Sequence, residues 1–189
     1  MEDKLIKLER SRLSVFTIED ISTLWQISDR KVLLESIKYY LRTHRLKSLK
    51  RGVYVIHEAY SELELAQKLY TPSYISLHTA LGLHGINFQH YETIYAVALK
   101  RKKIEVDEKL FSYHALNENI FWNSLGVVRK ETYYLAEPER AVCDTIYLFP
   151  QVGFDYIQKL DIEKLRSIAR LYQSQTLINK VEKIIASKE

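Results

Sequence analysis

Leu5 and Leu8, with Ile6 beside them, are the first apolar positions at helical spacing, and they predict a helix within residues 2–12. Val15-Phe16 is a short apolar stop. Thr17 precedes Ile18-Glu19-Asp20, and Thr17-x-x-Asp20 resembles a capping box with the shorter acid. A second helix should run from Ile18 to about Trp25 and bury Ile21, Leu24 and Trp25. Gln26-Ile27 then reads as a turn, and Ser28 as the N-cap of a third helix from Asp29 to about Thr43. Val32, Leu33, Ile37, Tyr40 and Leu41 fall on one side of that helix, while Lys31, Glu35, Lys38 and Arg42 fall on the other. Tyr39 is expected on its exposed surface. From Arg45 to Ile56 the pattern shortens to a β-hairpin, with Gly52 near the bend and Lys47, Lys50 and Arg51 decorating it.

Beyond a hinge at His57-Glu58-Ala59 the pattern mixes both periods. Ser61 should cap a helix from Glu62 to about Tyr70, and Pro72 should turn the chain. Ser76 should cap another helix, Leu77 to His84, ended by Gly85. Residues 92–99, 110–114 and 127–135 read as three strands. Pro138 sits in the first turn of a helix reaching about Leu148, with Ala141, Val142, Thr145 and Leu148 facing inward. Helices near 161–172 and 176–187 finish the pattern. Leu165, Ile168, Ala169 and Tyr172 stripe the first; Leu177, Ile178, Val181, Ile184 and Ile185 stripe the second. The expected fold class is α+β: an N-terminal winged helix-turn-helix over residues 1–57, then a mixed α+β domain over residues 58–189 that ends in helices.

Charge sharpens this division. Residues 1–58 hold 12 Lys+Arg against 8 Asp+Glu, whereas residues 59–189 hold 16 of each, so the whole surplus of +4 lies in the first third. Residues 28–51 alone hold 8 basic and 2 acidic side chains. A locally basic segment beside a neutral body is the footprint of a nucleic-acid module on a larger domain. The second helix would brace the third, and the third would enter the major groove of a duplex, which admits one α-helix. Arg30 and Lys31 lie in its first turn, where base edges are usually read, and Lys38 and Arg42 continue the face of Lys31. Ser28 and the first N–H groups of the helix can contact a phosphate. Lys47, Lys50 and Arg51 on the hairpin can reach neighbouring phosphates. The expected partner is therefore double-stranded operator DNA.

Three segments in order carry a further resemblance. They are Phe16-Thr17-Ile18-Glu19-Asp20 through Arg51-Gly52-Val53-Tyr54; Pro72-Ser73-Tyr74-Ile75-Ser76-Leu77-His78-Thr79-Ala80-Leu81 with His84-Gly85-Ile86; and Ala136-Glu137-Pro138-Glu139-Arg140-Ala141-Val142-Cys143-Asp144-Thr145-Ile146-Tyr147. Together they resemble the AbiEi-type antitoxins of type IV toxin–antitoxin systems, which regulate phage-defence loci. The resemblance implies that the winged helix binds an operator in its own promoter and represses it, and a dimer on DNA is compatible with that reading. It also implies that the second domain counters a nucleotidyltransferase-like toxin without needing a stable complex with it.

Other chemistry finds little support. His78, His84 and His90 recur every six residues, about 240° around a helix, whereas metal ligands on one helix face want steps of three or four. Neither they nor His114 predict a metal site. Glu137, Glu139, Arg140 and Asp144 read as a charged helix start opposing its dipole, with Arg140 and Asp144 an ordinary i,i+4 pair. Cys143 reads as a buried inert thiol. No phosphate-loop, dinucleotide-loop or nucleophile-elbow motif occurs. No catalytic residue and no cofactor is expected. Lys100-Arg101-Lys102-Lys103 is a second basic cluster, expected to end a strand in a solvated turn, with an extension of the DNA footprint or contact with an RNA or a partner as the alternatives.

The remaining composition removes whole classes. The single Cys excludes an internal disulfide and a Cys-rich zinc site, and 5 Gly with 3 Pro argue against a disordered or loop-rich chain of 189 residues. No apolar run of about 18 residues predicts a membrane helix, and the charged first twelve residues do not suit a secretory signal, so a cytoplasmic protein is expected. Three other organisations fit the same residues. One is a stand-alone winged-helix regulator whose second domain senses a ligand or dimerises. Another is an enzyme, such as a nuclease or nucleotide-handling protein, targeted by the winged helix. The last is a winged helix used only for protein contacts.

Overall fold

The computed structural model describes residues 4–89 and 91–187, so His90 lies outside the described residues. The chain is mixed α+β and divides into two units, Met1–Tyr70 and Thr71–Glu189.

The first unit runs α1 (Lys4–Glu9), β1 (Phe16–Thr17), α2 (Ile18–Trp25), α3 (Arg30–Arg42), β2 (Lys47–Lys50), β3 (Val53–Val55) and α4 (Glu62–Leu69). Local chemistry fixes most boundaries. The capping box at α2 is complete: Thr17 Oγ1 accepts from Asp20 N at 3.2 Å, and Asp20 Oδ2 accepts from Thr17 N at 2.9 Å. Gly52 takes φ +84° between β2 and β3, a conformation costly for other residues. β1 joins the hairpin to give a three-stranded antiparallel sheet in the order β1-β3-β2. The apolar stop at Val15-Phe16 therefore leads into a strand that starts at Phe16.

Leu5, Leu8, Phe16, Ile21, Trp25, Leu33, Ile37, Tyr40, Leu46 and Tyr54 close one core. The Trp25 ring packs 5.4 Å from that of Tyr40, and its Nε1–H donates to Lys4 O at 2.8 Å, which ties α1 to α2 and α3. Leu24 is only half-buried. The unit extends past the expected boundary at residue 57 because α4 is bonded back onto it. Ser14 donates to the buried carboxylate of Glu64 through both its amide and its hydroxyl, and Lys68 pairs with Asp20 at 2.6 Å.

The second unit runs β4 (Ser73–Ile75), α5 (Leu77–Leu83), β5 (Ile94–Ala98), β6 (Lys102–Val106), β7 (Lys109–Ala115), α6 (Glu118–Phe121), β8 (Val127–Arg129), β9 (Tyr134–Ala136), α7 (Pro138–Leu148), α8 (Ile162–Leu171) and α9 (Gln175–Ala186). Its six-stranded sheet has the order β6-β7-β5-β4-β9-β8 and mixes two parallel pairs, β5 with β7 and β4 with β9, among antiparallel ones. Residues 127–135, expected as one strand, form two. β8 and β9 pair antiparallel around Lys130–Tyr133, because the polar stretch Lys130-Glu131-Thr132 interrupts the alternation. Lys100 and Arg101 lie exposed in the turn that ends β5, as expected, while Lys102 and Lys103 already open edge strand β6.

The largest departure concerns α7. Arg140 and Asp144 are 0% exposed and sit at the centre of the unit, not on a charged surface. Asp144 accepts hydrogen bonds from Ser76 Oγ at 2.6 Å, Tyr172 OH at 2.5 Å and Tyr74 OH at 3.0 Å, and pairs with Arg140 Nε at 3.3 Å. Ser76 stands at the N-cap position of α5 but makes no side-chain cap bond, since its hydroxyl is turned to Asp144. Arg140 in turn donates to the carbonyls of Ile120, Asn123 and Leu125 at 2.9–3.0 Å. Every charge is thus paired and hydrogen-bonded, the condition for burying ions at all. Burial raises the Asp144 pKa despite these donors, and it holds the Tyr74 and Tyr172 hydroxyls in their protonated, donating form.

The loop wrapped around Arg140 passes so close that Gly126 has no room for a side chain. A Cβ there would stand 2.7 Å from Ile168 Cδ1 and 2.8 Å from Arg140 Cβ, and its φ is +78°. Cys143 is buried and its thiol pKa is pushed up by burial. Leu148, Ile178 and Ile184, expected inward, are half-buried. Among the described residues no helix is long and apolar enough to cross a membrane.

Candidate nucleic-acid interface

α3 presents two opposite faces. Leu33, Ile37 and Tyr40 are buried in the core of the first unit, and Lys31, Glu35, Lys38 and Arg42 stand exposed on the far side. Arg30 is exposed in the first turn of the same helix. Lys38 Nζ bonds Glu35 Oε1 at 2.8 Å, with side chains 70% and 63% exposed. A pair so exposed is worth little, so Lys38 can leave Glu35 for a stronger anion at small cost. On β2 and the following bend, Lys47, Lys50 and Arg51 are all exposed. The cations therefore form two sets, one along a helix and one along a hairpin, both displayed by a single compact core.

The start of α3 corrects one expectation. Asp29, not Ser28, is its N-cap: Asp29 Oδ1 accepts from Lys31 N at 2.8 Å and from Val32 N at 3.0 Å. Adjacent Ser and Asp both suit the role, and here the carboxylate, the stronger acceptor, takes it. Ser28 remains exposed just ahead of the helix. Two of the N–H groups expected to meet a phosphate are thus already satisfied within the protein.

Val32 is the other correction. It is 52% exposed instead of buried, and Tyr39, one heptad on, is 49% exposed. They form an apolar rail beside the basic stripe. The sequence reading missed Val32 because five apolar residues compete for a face that only Leu33, Ile37 and Tyr40 fill. A helical wheel at 100° per residue separates Val32 from Ile37 by about 140° and would have placed it correctly.

Elsewhere, His84 caps α5 and its Nε2–H donates to Ala136 O at 2.8 Å, a structural role. Among the described residues no three His, Cys, Asp or Glu side chains gather to hold a metal ion. No known family model matches the chain, and no curated protein matches it.

Proposed function

We propose that the first unit is a winged helix-turn-helix that binds operator DNA, and that the chain is an antitoxin repressing its own promoter. The observation that carries this reading is the exposed stripe of Lys31, Lys38 and Arg42 opposite a core-facing stripe on the same helix, with Arg30 also exposed in its first turn. α2 braces α3, and β2 with the bend after it adds Lys47, Lys50 and Arg51 at the place of a wing. In the groove, Val32 and Tyr39 would offer apolar contact to thymine methyls while the cations meet phosphates and guanine edges. The order Phe16–Tyr54, Pro72–Ile86 and Ala136–Tyr147, similar to AbiEi-type antitoxins, supports assigning the second unit to countering a nucleotidyltransferase-like toxin in the cytoplasm.

The test has two arms. The full chain should shift a duplex taken from upstream of its own reading frame and leave a scrambled duplex of equal length unshifted. Co-expression with the product of the neighbouring gene should restore growth that this product alone arrests. Loss of the first result overturns the operator reading, and loss of the second overturns the antitoxin role.

Asp29 supplies a finer check. Asp29→Asn should leave thermal stability nearly unchanged, since Asn caps as well as Asp, yet tighten duplex binding by about 2–5-fold by removing a negative charge from the groove-facing end of α3. Asp29→Ala should instead lose about 1 kcal/mol of stability with the cap. Thermal melts and fluorescence anisotropy on the same preparations separate the two effects.

A further inference from the structure

Five rings of the second unit meet on one face of its sheet. His78 of α5 lies 4.5 Å from Tyr91, 5.1 Å from Tyr95 and 5.9 Å from Phe149, centroid to centroid. Tyr95 lies 6.0 Å from His114, which lies 5.0 Å from Phe149. Strand register gathers them. Tyr95 of β5 and Lys103 of β6 both pair with Ser112 of β7, so His114, two residues on, shares their face. Thr79 Oγ1 accepts from Tyr95 N at 2.8 Å and fixes α5 over β5, while Ser112 Oγ bonds His114 Nε2 at 3.0 Å. All five rings are half-buried.

Two features are left over once packing is accounted for. His78 Nδ1 is buried and has no hydrogen-bond partner among the described residues. Exposed Arg101 and Lys103 crowd His114: after burial, the charges of Arg101, His78 and Lys103 hold its pKa below the ordinary histidine value. Like charge gathered against a desolvated ring is unfavourable on its own and becomes favourable when an anion docks between.

We propose that this face binds a nucleotide, free or within a single strand of RNA, with the base stacked on the His78–Tyr91 rings and the phosphate held by Arg101 and Lys103. His78 Nδ1 then meets a polar group of the base or sugar. A flat ring beside a phosphate uses every feature present, whereas an acidic peptide would use the cations and leave the ring array idle. Aromatic stacking paired with backbone-tracking cations is the general solution for single-stranded nucleic acid. All these residues lie in the second unit, so the site does not depend on the operator reading.

The test uses the full chain and a labelled oligoadenylate RNA of about ten nucleotides. It should bind by fluorescence anisotropy, with AMP competing better than either adenosine or inorganic phosphate. Competition by AMP alone and binding of RNA alone both support the site and tell its two sources apart. Arg101→Ala with Lys103→Ala, and separately Tyr91→Leu, should each weaken binding by about tenfold or more. Circular dichroism and duplex binding should not change. The proposal is overturned if neither RNA nor AMP binds, if the Arg101/Lys103 double variant binds both unchanged, or if inorganic phosphate competes as well as AMP.

Discussion

Asp144→Ala is expected to destabilise the second unit by about 3–5 kcal/mol, a large part of the stability of a small domain. The carboxylate is the common acceptor for hydroxyls from three elements: Tyr74 of β4, Ser76 at the start of α5 and Tyr172 at the end of α8. It is also the counter-ion of Arg140, which is 0% exposed. Removing it strands three donors and one full positive charge away from water. Asp144→Asn should be nearly as damaging, because an amide keeps the volume but cannot neutralise Arg140, and its N–H₂ would face groups that themselves donate. Hydrogen exchange read by mass spectrometry is the suitable measurement, since it reports the two units separately. Amides of β4, α5 and α7 should lose protection, while those of α3 keep theirs. A loss under about 1 kcal/mol would mean that water relaxes into the site and that the network is not what holds the helices to the sheet.

This network was the least legible part of the sequence, for a physical reason. Glu139, Arg140 and Asp144 follow Glu137-Pro138 as any solvated helix start would, and an i,i+4 Arg–Asp pair is commonest on surfaces. What buries it are partners distant along the chain, Tyr74, Ser76 and Tyr172, together with the carbonyls of Ile120 in α6 and of Asn123 and Leu125 in the loop before Gly126. Periodicity sees one element at a time, so it cannot register a charge satisfied by four others. The same limit split residues 127–135 into two strands: the pairing of Val128 with Leu135 is a tertiary fact, although Lys130-Glu131-Thr132 was a visible break.

Where the determinants are local, the sequence was sufficient. The capping box set the start of α2 at Ile18, Pro138 opened α7, and Gly52 marked the bend between β2 and β3. The candidate interface belongs mostly to this legible class. Lys31, Lys38 and Arg42 are exposed because Leu33, Ile37 and Tyr40 claim the other side of a helix of 13 residues. The Asp29 cap was not legible, because Ser28 and Asp29 are chemically interchangeable there and only the backbone path chooses between them.

Because that stripe is so fully displayed, reversing its charge tests it without disturbing the fold. Lys31→Glu with Arg42→Glu should weaken operator binding by more than about 100-fold, roughly 3 kcal/mol, while the melting temperature hardly moves. The stability terms nearly offset. A Glu at position 31 lies in the first turn of α3, where the helix dipole favours an anion, and a Glu at position 42 lies in the last turn, where it does not. The binding terms add, since each reversal removes a cation from the proposed DNA-facing stripe and supplies a repulsion. Salt gives the independent readout. If both side chains neutralise phosphates, the slope of log affinity against log salt should be shallower by about 2 in the double variant, because two fewer counterions are released. Loss of affinity with an unchanged slope would place Lys31 and Arg42 on base edges instead of phosphates. Unchanged affinity in a folded double variant would leave α3 with no role in DNA binding, and the first unit would have to act through another surface.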